Sequence, residues 1–172
     1  MGRDKAYLPV EGQTLGSRVA ETVKAAAGDA VLVGDVERYA ALGYRVVADL
    51  YPGEGPLGGI ITALRDSLAD WNLVVACDMP GLTSELLQDL LETAERKCMD
   101  ILAPRAQNGR WEPLCAVYHR AALEPLEQAF ARGVRKVTAA FQGLRVAAYP
   151  ADEVACFQNL NTPEDWKRYA AG

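Results

Sequence analysis

The sequence predicts an α/β fold: one domain over residues 1–172, a mostly parallel sheet carrying one antiparallel strand, and helices on both faces. Three observations carry this. Short apolar runs alternate with stretches of helical period through the first half of the chain. Three of those runs end in an aspartate, at Asp35, Asp49 and Asp78. In the second half two apolar runs flank Asn108-Gly109, a pair suited to a tight reversal, which makes one of them antiparallel. With 172 residues, half of them hydrophobic, the chain is long enough to bury a sizeable core.

The elements follow in order. Leu15, Val19, Val23 and Ala26 recur at helical spacing and Gly28 is a stop signal, so residues 15–27 form a helix. Residues 30–33 read as a strand, residues 36–42 as a short helix ending near Gly43, and residues 45–48 as the next strand, closed by Asp49. The glycine-rich run from Pro52 to Gly59 is a loop that enters a helix over residues 60–68. Residues 73–77 are a continuous apolar run suited to a strand buried on both faces, ending at Asp78. Leu86, Leu87, Leu90, Leu91 and Ala94 line one face of the next helix, with Thr83 or Ser84 as its N-cap. Strands over residues 100–104 and 114–118, helices over 121–131 and 134–141, and a strand over 145–149 complete the set. In the tail, Thr162-Pro163-Glu164-Asp165 is a helix start: an N-cap, a proline at the first position and acids in the first turn.

Composition excludes several functions. A net charge of −5 argues against a general phosphate-backbone binder, so no nucleic acid is expected as partner. No apolar run reaches the length of a membrane span and the start lacks a signal-peptide apolar segment, so the expected compartment is the cytoplasm. Cys77, Cys98, Cys115 and Cys156 are too far apart for a zinc knuckle or a disulfide framework and read as small core residues. The single histidine, His119, closes an apolar run and reads as structural.

The carboxyl edge of a parallel sheet is where ligands bind in α/β proteins, which singles out Asp35, Asp49 and Asp78. Carboxylates converging there suit a divalent ion, magnesium first, because it favours oxygen ligands and shares sites with substrate phosphates. Asp35 is the weakest of the three, since aspartate after glycine is a common turn former. At the N-terminus, Gly2-Arg3-Asp4-Lys5 sets two cations before an apolar stretch.

Four segments carry a resemblance: residues 1–5 (Met-Gly-Arg-Asp-Lys), Gly55-Pro56-Leu57-Gly58-Gly59, Cys77-Asp78-Met79-Pro80 and the tail Phe157-Gln158-Asn159-Leu160-Asn161-Thr162-Pro163-Glu164-Asp165. In this order, and over nearly the whole chain, they resemble the successive motifs of the MobA family, the molybdenum cofactor guanylyltransferases. The resemblance implies a Rossmann-like nucleotidyltransferase that joins GMP from GTP to molybdopterin, the precursor of the molybdenum cofactor, with release of pyrophosphate and with Mg²⁺ as cofactor. It implies that Lys5 contacts nucleotide phosphates, that Asp49 belongs to the GTP site, that Asp78 holds the magnesium, and that Asn159 and Asn161 lie on the pterin side. Molybdoenzymes or their chaperones are the implied recipients of the product. A cytidylyltransferase of the same superfamily, or an inactive homologue that binds only the pterin, are the alternatives.

The chain departs from the family pattern in one respect. That pattern places a strand and a glycine-rich loop, Leu-Ala-Gly-Gly-x-Ser-x-Arg, directly before Met-Gly-x-Asp-Lys, and here Met1 opens the chain. The loop would present backbone N–H groups to phosphates and the strand would be central in the sheet, so a gap in the core is expected. Either Met1 is an internal methionine of a longer protein, the favoured reading, or the chain is a truncated and inactive form.

Overall fold

The structure, a computed structural model, describes residues 4–10, 12–150 and 157. A 3₁₀ turn at Lys5–Tyr7 leads into a small antiparallel hairpin, β1 (Pro9–Val10) with β2 (Gln13–Thr14). Helix α1 (Leu15–Ala27) starts on Thr14, whose side chain accepts from the Ser17 N–H, and stops at Gly28, which takes the left-handed conformation at φ 85°. Next come β3 (Val31–Gly34), α2 (Val36–Tyr39) and a 3₁₀ turn, β4 (Arg45–Ala48), α3 (Pro56–Asp66), β5 (Trp71–Val75) and α4 (Ser84–Lys97). The second half holds β6 (Ile101–Arg105), β7 (Cys115–His119), α5 (Leu123–Ala131), a 3₁₀ turn at Val137–Phe141 and β8 (Val146–Pro150).

The expected fold class is the one observed, with β7 as its antiparallel strand. Strands β3 and β4 pair parallel, in register from Val31 with Arg45 to Gly34 with Ala48. The other sheet has the order β5-β7-β6-β8: β7 runs antiparallel to both neighbours, and β6 and β8 run parallel. Alternate residues of the central strands feed two cores. Ile101, Ala103, Ala116 and Tyr118 face α3 and α5, while Leu102, Cys115 and Val117 face α4.

Most strands are offset by one residue from the sequence reading and α5 starts two residues later; the helix expected over 134–141 is only the 3₁₀ turn at Val137–Phe141, and two further boundaries bear on the site. Helix α3 begins at Pro56 instead of residue 60, because Gly55 turns the chain at φ 88° and Pro56 supplies a preset first helical residue. The glycines after it are therefore helical. Gly58 has a steric reason: a Cβ there would lie 2.8 Å from Tyr51 Cβ. Strand β5 begins at Trp71 and ends at Val75, two residues ahead of the apolar run, because its register is set by pairing with residues 115–119 of β7. The cysteines also differ from expectation: Cys115 is in the core, whereas Cys77 and Cys98 are exposed, Cys98 ending α4 at φ 48°. His119 is structural as expected, its ring edge-on to Trp71 and its Nδ1 accepting from the Ala121 N–H. Cys156, the tail helix start, Asn159 and Asn161 lie outside the described residues. Among the described residues no helix is long and apolar enough to cross a membrane.

Between β3 and β5 lies an apolar slot of about 380 Å³, in an interior that normally holds few voids larger than a water molecule. Its side walls are unbroken runs, residues 30–33 and 73–77. Successive strand residues point to opposite faces, so a cavity lined by consecutive residues runs along a strand edge and does not sit over one face. Its roof and floor are single helical stripes: Gly16, Val19, Ala20 and Val23 of α1, and Pro56, Gly59, Ile60 and Ala63 of α3.

Asp100 ties the start of β6 to that of β8. Its carboxylate accepts from the Arg145 backbone N–H at 2.8 Å and from Arg145 Nη2 at 2.7 Å. The hydrogen bond from the Arg145 guanidinium holds the Asp100 carboxyl below the usual carboxylate range. A depressed folded value means that this stabilisation is present above the unfolded value and lost as pH falls through the folded one. Asp100→Asn should cost about 1 kcal/mol at neutral pH. In denaturant melts, the difference from the parent should vanish in acid.

Candidate active site

Beyond β5 the chain makes one more sheet bond, from the Ala76 N–H to the Leu114 carbonyl at 2.7 Å, and then turns outward at the carboxyl edge. Cys77 and Asp78 form that turn. Met79 and Leu82 anchor it from below, packed with Leu87, Leu90 and Phe157 in the core that covers α4. Asp78 is thus a side chain held by its buried neighbour, and it lies past the end of the strand, not on its last residue.

The Asp78 carboxylate is 15% exposed, and its Oδ2 accepts from Lys5 Nζ at 2.9 Å. Its Oδ1 is buried with no hydrogen-bond partner among the described residues. An orphaned carboxylate oxygen beside a cation is costly unless something binds it. Lys5 reaches this position because the 3₁₀ turn that carries it is capped by Asp4, whose Oδ1 accepts from the Ala6 N–H at 3.0 Å. The turn seats closely on α1, where a Cβ at Gly16 would lie 3.1 Å from the Ala6 carbonyl oxygen.

Asp4 extends the cluster. Its Oδ2 accepts from Tyr39 Oη at 3.0 Å and from Arg38 Nε at 2.7 Å. Burial and the Asp4 hydrogen bond push the Tyr39 phenol up to about 12, so it stays protonated and donates. Cys77 is exposed to the open slot, yet the atoms crowded around its thiol strip away solvent, and this desolvation with the neighbouring Asp78 carboxylate pushes the thiol up to about 11. Cys77 is accessible along the slot it lines, but as a neutral thiol it is a poor nucleophile.

Asp49 follows β4 and organises the glycine-rich loop. Its Oδ1 accepts from the Tyr51 N–H at 2.9 Å and lies 3.2 Å from the Thr62 hydroxyl. That hydroxyl is 2.9 Å from the Gly58 carbonyl and accepts from the Leu50 N–H at 3.1 Å. The loop after β4 is therefore clamped to the first turns of α3. Asp35 sits at the carboxyl end of β3, where its Oδ1 accepts from the Arg38 N–H at 3.0 Å as the cap of α2.

Of the residues singled out by sequence, the structure joins Lys5 with Asp78 and keeps Asp35 and Asp49 in separate local networks. The three carboxylates do not gather at one point: among the described residues no group of three His, Cys, Asp or Glu side chains is placed to hold a metal. Capping and loop bonds have claimed the other two carboxylates. Sequence reasoning missed Asp4, Arg38, Tyr39 and Thr62. Asp4 stands inside the N-terminal motif, but its partners are more than thirty residues away in sequence. Nothing local marks them.

The buried Thr62 hydroxyl tests the loop clamp. Thr62→Val keeps the shape and leaves the Leu50 N–H and Asp49 short of a partner, so urea unfolding should show a loss of about 1–3 kcal/mol.

The family model described as the MobA-like NTP transferase domain matches residues 1–147. A probable molybdenum cofactor guanylyltransferase of Pelotomaculum thermopropionicum is 35% identical over 96% of this chain and 83% of its own length, which leaves 17% of it outside the shared stretch. Among solved structures, molybdopterin-guanine dinucleotide biosynthesis protein A from Archaeoglobus fulgidus superposes with a TM-score of 0.83 at 32% identity, covering 97% of this chain and 89% of that one. A 2-C-methyl-D-erythritol 4-phosphate cytidylyltransferase from Thermus thermophilus shares the fold, with a TM-score of 0.74 at 19% identity over 97% of this chain and 92% of that one.

Proposed function

Because this chain belongs to the MobA-like NTP transferase family and is a nucleotidyltransferase by that descent, we propose that it transfers GMP from GTP to molybdopterin. A terminal phosphate oxygen of molybdopterin bonds to the α-phosphorus of GTP, the bond from that phosphorus to the bridging oxygen breaks, and pyrophosphate leaves with the electron pair. The observation that carries this reading is the Lys5–Asp78 pair at the carboxyl edge, with Asp78 Oδ1 buried and unpartnered.

The attacking phosphate is already an anion at neutral pH, so no general base is required. What the reaction needs is alignment of two anions and neutralisation of their charge. Lys5 supplies a cation whose position is fixed by the capped turn behind it. Asp78 orients that ammonium through Oδ2 and keeps Oδ1 for a hard cation. A single carboxylate oxygen suits Mg²⁺, which takes one or two protein carboxylates and completes its shell with water and substrate phosphates. Bound there, Mg²⁺ would neutralise charge on the phosphates of GTP. Asp49 falls on the GTP side of this reading, and Asn159 and Asn161 on the pterin side. The neutral Cys77 thiol takes no part. The reading places the protein in the cytoplasm, handing its product to molybdoenzymes or their chaperones.

Incubation with molybdopterin, Mg²⁺ and either GTP or CTP tests the assignment, and guanine dinucleotide product with GTP alone is expected. Turnover with CTP alone would overturn it, and undetectable GTP binding would favour a pterin-binding homologue without transferase activity. Asp78→Ala should lower metal-dependent transfer by about a hundredfold or more, while the circular dichroism melt stays close to that of the parent, since Met79 and not Asp78 anchors the turn.

A further inference from the structure

We propose that Arg135 is a positioning residue which, through Glu54 and Phe130, fixes the tip of the loop after β4 for the incoming nucleotide. The contacts stand on geometry alone, while the part played by the nucleotide rests on the nucleotidyl-transfer reading, which sets the Asp49 loop on the GTP side. Asp49 and Thr62 already tie down the base of this loop, with bonds that fall on Leu50, Tyr51 and Gly58. The tip between them is a turn closed by the Glu54 N–H on the Tyr51 carbonyl at 3.1 Å, and it feeds the first turn of α3 at Pro56.

The tip is held from the end of α5. Gly133, left-handed at φ 88°, donates its N–H to the Phe130 carbonyl at 2.9 Å and turns the chain back, which lays Arg135 over the helix end. Arg135 Nη1 donates to the Phe130 and Val134 carbonyls at 2.8 and 3.1 Å, and the guanidinium carbon stands 3.9 Å from the centre of the Phe130 ring. Carbonyls at a helix C-terminus and the face of an aromatic ring both favour a cation. From this seat Arg135 Nε donates to Glu54 Oε2 at 2.6 Å. The Phe130 ring in turn packs against Tyr51, with ring centres 4.6 Å apart. One guanidinium and one ring thus grip both ends of the turn. An exposed ion pair is ordinarily worth little, in part because two long side chains must be ordered to form it. Here two carbonyls and a ring have ordered Arg135 beforehand, and only Glu54 remains. A lysine has no fork with which to hold the carbonyls and Glu54 together. A loop ordered before binding spares the nucleotide that cost, so loss of the clasp falls on GTP binding and not on the chemical step.

Steady-state kinetics and hydrogen exchange on the full chain test this with Arg135→Ala, Arg135→Lys, Glu54→Ala and the double alanine variant. Arg135→Ala should raise KM for GTP about five- to tenfold while kcat and KM for molybdopterin stay near the parent values, and Arg135→Lys should recover little of the loss. Glu54→Ala should raise KM for GTP less, and the double variant should match Arg135→Ala, since both changes open one clasp. Glu54 is half exposed, so its variant keeps the fold even where Arg135→Ala melts early. In the nucleotide-free chain the Glu54 and Gly58 amides, which bond to the Tyr51 and Gly55 carbonyls, should exchange about fivefold faster in each variant. Parent-like exchange at those amides, an effect confined to kcat or to molybdopterin, full rescue by lysine, or additive losses from the two alanines would overturn the proposal. A parent that binds no GTP would sink the transfer reading instead, and the exchange comparison alone would then decide whether the clasp holds the loop.

Discussion

Strand β7 is the constraint on which the larger sheet depends. It pairs antiparallel with both β5 and β6, so it joins the strand that carries Asp78 to the pair that closes the far side. Cys115, Ala116, Val117 and Tyr118 have no solvent exposure and send alternate side chains into the two cores. The pairing also sets the register of β5. That register decides where the chain leaves the sheet and hence where Cys77 and Asp78 project. The Tyr118 hydroxyl, donated to the Pro113 carbonyl at 2.7 Å, pins the approach to the same strand.

The other half of the molecule is held differently. Strands β3 and β4 bond to each other, and among the described residues it is α1 and α3, not strand pairing, that span the distance to β5. Each helix lays one stripe of residues across the slot and touches elements on both sides. A sheet divided in this way keeps its helical layers in place while leaving two strand edges facing each other.

At the carboxyl edge the two halves meet through charge. Asp4 is the common partner: it caps the turn that carries Lys5 and receives Tyr39 and Arg38 from the region after β3. Lys5 then reaches across to Asp78 from β5. One short N-terminal turn thus links both sheets at the edge where α/β proteins bind ligands. The arrangement leaves Asp78 with one oxygen engaged and one buried without a hydrogen-bond partner among the described residues.

The alternation of strands and helices, the caps at Thr14 and Thr83, and the reversal at Asn108-Gly109 were legible in the sequence because propensity, periodicity and turn chemistry are local. Lys5 and Asp78 were singled out from motifs that stand in continuous stretches of chain, and the fold pairs them at 2.9 Å. Tertiary structure decided the rest. It ended β5 at Val75, because a strand's limits follow its partner's register. It started α3 at Pro56, because packing against Tyr51 gives the glycines a helical use. It separated Asp35 and Asp49 from Asp78 by giving each a nearer hydrogen-bond partner, and it brought Asp4 to Arg38 and Tyr39. Contacts between residues far apart in the chain leave no local pattern, so only the folded arrangement could show which carboxylate keeps an oxygen to offer.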